Sequence, residues 1–233
     1  MQFLVGTSGY SYKEWKGAFY PEKLPGKKML DFYAQQFSTV EINSTFRRFP
    51  TASTVENWTA QVPSNFRFVL KARQTITHFR RLQNAESQID DFINLALLLG
   101  ERQGPLLFQL PPNFKKDVPR LEAFLNYVDG RASIVMEFRH ASWFCDEAYD
   151  SLRSHSAALC VTDEVELPQA ALVRTADFGY VRLREESYTT RKLNEWIKHI
   201  RSVKWPAVYV FFKHEDVGAG PALATRFIEL AQK

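Results

Sequence analysis

The sequence predicts a (β/α)8 barrel, a TIM barrel, in one domain spanning residues 1–233. Three observations predict it. Eight short apolar runs recur along the chain, helical patterns separate them, and the runs share one parity. Strands that alternate with helices imply a parallel sheet. Eight strands in 233 residues favour closure into a barrel over the competing architecture, a doubly wound open sheet.

The apolar runs are residues 3–6, 39–43, 67–71, 106–110, 133–139, 158–162, 180–184 and 208–213. Each is rich in Val, Ile, Leu, Phe or Tyr and short enough for a strand. Between the first two, residues 27–37 place Met29, Leu30, Phe32, Tyr33 and Phe37 at helical spacing. Residues 53–62 are a weaker helix. Residues 86–99 carry Ile89, Phe92, Ile93, Ala96 and Leu97 on one stripe. Helices at 119–128, 147–155, 190–203 and 221–231 follow in the same way.

The shared parity holds from strand to strand. Val40 and Ile42 share a face, as do Phe68 and Leu70, then Phe108 and Leu110. The opposite faces carry Glu41 and Asn43, Val69 and Lys71, Leu107 and Gln109. Strand five sets Val135, Glu137 and Arg139 against Ile134, Met136 and Phe138. Strand seven sets Tyr180, Arg182 and Arg184 against Val181 and Leu183. One face is apolar throughout, as a helix-covered wall must be. The other turns polar only near its C-terminal end, as a barrel interior does where it opens into a site.

Composition narrows the class. The net charge is +4 and the pI about 9.0, which suits either solvated surface cations or an anionic partner. No run of five like charges gives a basic tail. The two cysteines, Cys145 and Cys160, form no Cys-x-x-Cys pair, so a reducing compartment is expected. No apolar stretch nears the ~20 residues of a membrane span, and the first residues lack the charged and apolar regions of a signal peptide. The expected location is the cytoplasm, with no membrane partner.

Polar residues converge at the strand tops. Ser8 follows strand one; Glu41 and Asn43 end strand two, Lys71 strand three, Gln109 strand four. Glu137 and Arg139 end strand five, Asp163 follows six, Arg182 and Arg184 end seven, and Lys213 ends eight. Charges in a barrel mouth are costly unless paired or bound to a ligand. So many at one end point to a working site.

Several segments have a longer signature. Gly6-Thr7-Ser8-Gly9-Tyr10-Ser11-Tyr12 opens the chain, followed by Glu41-Ile42-Asn43-Ser44-Thr45-Phe46. Gln109-Leu110-Pro111-Pro112-Asn113-Phe114 and Glu137-Phe138-Arg139-His140-Ala141-Ser142-Trp143-Phe144 come later. With these motifs the whole chain resembles the YecE-like family, a domain of unknown function with a TIM-barrel fold. The resemblance implies the fold and the site, including His140 and Trp143 as binding residues, but no reaction. Against the family pattern, Arg47 replaces a common Tyr, strand seven leads into Arg184-Glu185, and strand eight runs into Lys213-His214-Glu215-Asp216.

The chemistry these residues offer has three sources. Glu41 and Glu137 are candidates for a general acid and base, or else ion-pair partners of Arg139 or Lys71. A retaining glycosidase is disfavoured, because strands four and seven end in Gln109 and Arg182 rather than in paired carboxylates. Arg139, Arg182, Arg184, Lys71 and Lys213 suit a carboxylate or phosphate, and Gly218-Ala219-Gly220 before Pro221 suits an anion nest at a helix N-terminus. No cofactor is required. A divalent metal is a weaker reading, resting on His78, His140 and His214 beside Glu41, Glu137 and Asp163, without tight ligand spacing. The leading expectation is an enzyme for a phosphorylated or otherwise anionic substrate, sugar- or nucleotide-derived. The rivals are a nucleic-acid-binding or repair-type barrel, favoured by basic charge and loop aromatics, and a small-anion-binding module without catalysis.

Overall fold

The computed structural model describes residues 1–164, 166–185, 187–213 and 218–233. Eight parallel strands form the sheet: β1 Gln2–Thr7, β2 Thr39–Ile42, β3 Arg67–Lys71, β4 Gln103–Gln109, β5 Ile134–Glu137, β6 Ala158–Thr162, β7 Phe178–Leu183 and β8 Ala207–Phe212. Their order is β1-β8-β7-β6-β5-β4-β3-β2. β1 and β8 are paired along six residues, so the expected barrel is borne out, and it is nearly closed. Around it stand α1 Met29–Ala34, α2 Ala52–Ala60, α3 Glu86–Leu97, α4 Val118–Val128, α5 Asp146–Ser154, α6 Thr190–Ser202 and α7 Ala219–Ala231. No described residue between β6 and β7 is helical. Side-chain caps start three helices: Thr51 accepts from Thr54 N–H, Asp117 from Arg120 N–H and Thr189 from Lys192 N–H.

Most strands differ from their expected bounds by a residue or two, and in β4 and β5 the cause is local. β4 begins three residues early, across Gly104 and Pro105, a pair that ordinarily marks a turn. A Cβ at Gly104 would lie 2.9 Å from the Phe68 carbonyl oxygen, and the β3–β4 register shifts between Phe68 and Leu70. Glycine therefore permits a close approach of backbones at a bulge. β5 ends at Glu137 rather than Arg139. Phe138 leaves the ladder to stack on Trp143, with ring centroids 4.6 Å apart.

The seam of the barrel lies between β1 and β2. They share one bridge, Ser8 with Glu41, at their C-terminal ends, and Gly9 N–H donates to the Glu41 carbonyl at 2.8 Å. Below it, the wholly buried Tyr33 of α1 supplies the missing link. Its hydroxyl accepts from Thr7 N–H at 2.8 Å and donates to the Thr39 carbonyl at 3.1 Å. One phenol thus satisfies a donor on β1 and an acceptor on β2, groups that a ladder would otherwise pair. Gly6 makes room for this arrangement, since a Cβ there would sit 2.0 Å from the Thr39 oxygen.

Two apolar layers result. The outward side chains pack under the helices in one large core that includes Val40, Phe68, Phe108, Met136, Val181 and Val210. Inside the barrel lies a small separate layer: Val69, Leu107, Val135, Cys160, Tyr180 and Phe211 with Ala158 and Ala176. Side chains on one face repeat every second residue. The residues two positions beyond Val69, Leu107, Val135, Cys160, Tyr180 and Phe211 are therefore Lys71, Gln109, Glu137, Thr162, Arg182 and Lys213, which form the next layer up.

Candidate functional site

Two buried carboxylates share one guanidinium, Arg182 of that layer. Arg182 donates from Nη2 to Glu41 Oε1 at 2.7 Å and from Nη1 to Glu137 Oε2. All three side chains are essentially inaccessible, at 2%, 0% and 0% exposure. Glu41 also accepts from Ser8 Oγ at 2.7 Å, Tyr180 hydroxyl at 2.6 Å and Asn43 Nδ2 at 3.0 Å. Glu137 accepts from Gln109 Nε2 at 2.8 Å and Arg139 Nε at 3.0 Å. Burial alone would raise both carboxyls, but the neighbouring cations outweigh it. Arg182, then Arg184, hold Glu41 at about 2. Arg182, then Arg139, hold Glu137 well below the usual carboxylate range. Neither has the raised pKa that the acid half of an acid/base pair requires.

Lys71 is placed differently. Its Nζ donates to Gln109 Oε1 at 2.9 Å and lies 4.3 Å from the centre of the Phe46 ring. It has no salt-bridge partner among the described residues, because Arg182 and Arg139 occupy the two carboxylates. Burial, then repulsion from Arg182, draws its pKa down from 10.5 to about 7. Behind Phe46 stands His78, edge-on at 4.9 Å, with its pKa lowered to about 4 by burial and by Lys71. His78 belongs to a π-helical turn, Thr75–Phe79, that the sequence pattern does not reveal. Such turns occur often at functional sites.

A cavity of about 820 Å³ opens above these groups. Asn43, Lys71, Gln109, Arg139, Arg182, Arg184 and Lys213 line it, all expected from the sequence. Tyr12, Ser44, Phe46, Arg47 and Glu164 complete the lining. Among the described lining residues six are Lys or Arg and one is acidic. Arg184 is 7% exposed, and among the described residues its Nε and Nη2 have no hydrogen-bond partner. The Glu41 and Glu164 carboxylates stand at 3.8 and 3.9 Å, ion pairs beyond hydrogen-bond range. Burial, then Arg182, lowers the pKa of Arg184.

The other candidates lie elsewhere. Glu41, Glu137 and Ser8 sit beneath the cavity lining and are fully or nearly fully buried. Asp163 turns to the base of the next loop, where it accepts from Arg184 N–H at 2.6 Å and from Tyr188 hydroxyl at 2.5 Å. His140 caps a turn by accepting from Ser142 N–H at 3.1 Å. Trp143 is buried, donating to the Phe114 carbonyl at 2.8 Å. Neither lines the cavity. Gly218 packs against Ala18, Gly220 is buried in α7, and neither lines the cavity; α7 also starts two residues before Pro221. Among the described residues no group of three or more His, Cys, Asp or Glu is arranged to hold a metal. His214 lies outside the described residues, as do Glu215 and Asp216. No helix among the described residues is long and apolar enough to cross a membrane.

Fold and site together define a parallel α/β barrel with a cationic cavity at the C-terminal ends of its strands. Residues 4–233 match the family described as "Protein of unknown function DUF72", and the chain belongs to that family, as its resemblance to the YecE-like family implies. It is 25% identical over 227 residues to UPF0759 protein YunF of Bacillus subtilis (strain 168), covering 91% of this chain and 78% of YunF. It is 29% identical over 141 residues to UPF0759 protein YecE of Escherichia coli (strain K12), covering 60% of this chain and 49% of YecE. A DUF72 family crystal structure from Thermotoga maritima superposes with a TM-score of 0.84 at 25% identity, with both chains wholly covered. Another, from Enterococcus faecalis, gives 0.85 at 18% identity, covering 100% of this chain and 96% of that one.

Proposed function

We propose that this protein is an enzyme acting on a small anionic molecule, phosphorylated and sugar- or nucleotide-derived, bound in the cavity at the strand tops. The observation that carries the reading is Arg184, a buried guanidinium whose Nε and Nη2 make no hydrogen bond among the described residues, in a cavity lined largely by cations. Unmet charge-assisted donors are costly to bury, and an anion relieves that cost. Arg139, Arg184 and Lys213 bind the anion, while Asn43 and Gln109 orient neutral groups. Glu41 and Glu137 do not touch the substrate in this reading. They hold Arg182 rigid and charged at the cavity floor. Lys71, the lining group whose pKa lies near neutrality, carries the chemistry. A small ligand fits better than a nucleic acid, because these cations converge on one cavity of about 820 Å³ rather than tracking along a face.

The test is thermal unfolding in the presence of phosphate, sulfate and a panel of phosphorylated metabolites. Binding at a hundredfold excess over Kd adds about 2.7 kcal/mol, read as a rise in Tm. Absence of any such rise across the panel overturns the reading. A steep loss of affinity for long DNA or RNA with salt favours the nucleic-acid alternative instead.

A further inference from the structure

We propose that Lys71 is a nucleophile that forms a Schiff base with an aldehyde or ketone carrying a phosphate or carboxylate group. The proposal rests on the anionic-ligand reading above and names the substrate class for that cavity.

Three geometric facts carry it. First, Lys71 ends β3 inside the barrel and lines the cavity at only 8% exposure. Second, its hydrogen-bond partner is the neutral carbonyl of Gln109 at 2.9 Å, and the face of Phe46 covers another side at 4.3 Å. A buried ammonium ordinarily keeps a carboxylate; here Arg182 and Arg139 have taken both nearby ones. The charged groups around it are Arg182, Arg139, Glu137 and Glu41, with His78 behind the ring. Burial and Arg182 together favour the neutral amine, the form that attacks a carbonyl. Third, Arg139, Arg184, Arg47 and Lys213 line the same cavity. A carbonyl compound with an anionic tail is held by these cations while its carbonyl meets Nζ.

The step balances without an outside reagent. The Nζ lone pair forms a bond to the carbonyl carbon, and the C=O π pair moves to oxygen, which takes up the proton lost by nitrogen. The carbinolamine then expels that oxygen as water, with a second proton from nitrogen, and the nitrogen pair closes the C=N bond. Amine plus carbonyl gives imine plus water.

The experiment uses pyridoxal 5′-phosphate as a phosphorylated aldehyde, at one equivalent of whole protein near pH 8, reduced with cyanoborohydride and mapped by peptide mass spectrometry. The expected result is one adduct per chain on Lys71, suppressed by inorganic phosphate at concentrations that raise Tm. Lys71→Met should lose that adduct and keep the phosphate-induced rise. Suppose phosphate raises Tm but label spreads over exposed lysines and spares Lys71. Then the Schiff base is wrong and the anion site stands. Labelling of Lys71 that phosphate leaves untouched overturns the anionic substrate class. No rise in Tm and no label on Lys71 overturns both proposals.

Discussion

Arg182 donates to Glu41 at 2.7 Å from a position wholly enclosed by the barrel, and its other terminal nitrogen holds Glu137 on the far side. One guanidinium therefore braces two strands, β2 and β5, from a third, β7. Removing it leaves two buried carboxylates without their shared cation, and breaking such a pair costs ~3–5 kcal/mol. Arg182→Met should lower the unfolding free energy measured in urea by that amount, or abolish folding. Glu41→Gln and Glu137→Gln should each chiefly lower stability as well, because each leaves Arg182 half-paired. If either Gln variant keeps wild-type stability and loses only catalytic turnover, the bracing role is wrong and an acid/base role returns.

The same triad sets the acid limit of the fold. Glu41 titrates at about 2 in the folded protein against an ordinary 4.5, and Glu137 shifts the same way. Between those values the unfolded chain binds more protons than the native one, so stability falls as pH falls. The contribution is full above about 4.5 and disappears as pH drops toward 2. Chemical denaturation from pH 6 to 2 should show this steep loss in wild type, and a flatter profile in Glu41→Gln. Parallel profiles would assign the acid sensitivity to other carboxylates.

Lys71 has the opposite signature. Its folded pKa of about 7 lies below the ordinary 10.5, so between these values the unfolded state again binds more protons and stability rises with pH. Below pH 7 the buried ammonium is a liability. Lys71→Met should therefore be more stable than wild type at pH 6, and the gap should close as pH climbs toward 10. A gap that does not change with pH would show that Lys71 keeps its charge throughout.

How much of this was legible in the sequence depends on what the alternation of residues encodes. Period-two parity separates Val69 from Phe68 and Glu137 from Met136, and the two apolar layers follow from it directly. It also places Lys71, Gln109, Arg182 and Arg184 at one cavity. Parity says nothing of depth, so Glu41 and Glu137 read as mouth residues although they lie under the floor. Nor does it read loops. His140 and Trp143 belong to a strong motif, yet one caps a turn and the other fills the wall. Glu164 and Arg47 line the cavity from loops, where neighbouring residues in sequence give no register. The Tyr33 link was hidden for a related reason: its ring satisfies a helical apolar pattern while its hydroxyl does separate work at the seam.

That link can be tested alone. Tyr33→Phe keeps the ring and its packing but leaves Thr7 N–H and the Thr39 carbonyl buried without a partner. An unsatisfied buried group costs about 1–3 kcal/mol, so the variant should lose at least that much in urea unfolding. Hydrogen exchange should show faster exchange at Thr7, with the β7–β8 amides less affected. A variant within about 0.5 kcal/mol of wild type, the usual range for inconsequential substitutions, would mean that water or relaxation repairs the seam.

Arg184 offers the sharpest separation of stability from binding. It is a cation at 7% exposure with two donors that make no hydrogen bond among the described residues, and burial together with Arg182 lowers its pKa. A base whose folded pKa lies below its unfolded value is penalised in its charged form on folding. The Glu41 and Glu164 carboxylates at 3.8 and 3.9 Å offset only part of that penalty. Arginine stays charged at every working pH, so the penalty is present whenever the cavity is empty. Arg184→Met removes the charge and keeps an unbranched side chain in its place. In anion-free buffer the variant should melt at or above the wild-type Tm. In phosphate the order should reverse, because wild type gains from binding and the variant does not. Stability given up at a site to create affinity for a ligand is a common trade in enzymes. A variant that melts below wild type without phosphate, yet rises equally with it, would show that Arg184 is a structural cation and that the anion binds elsewhere.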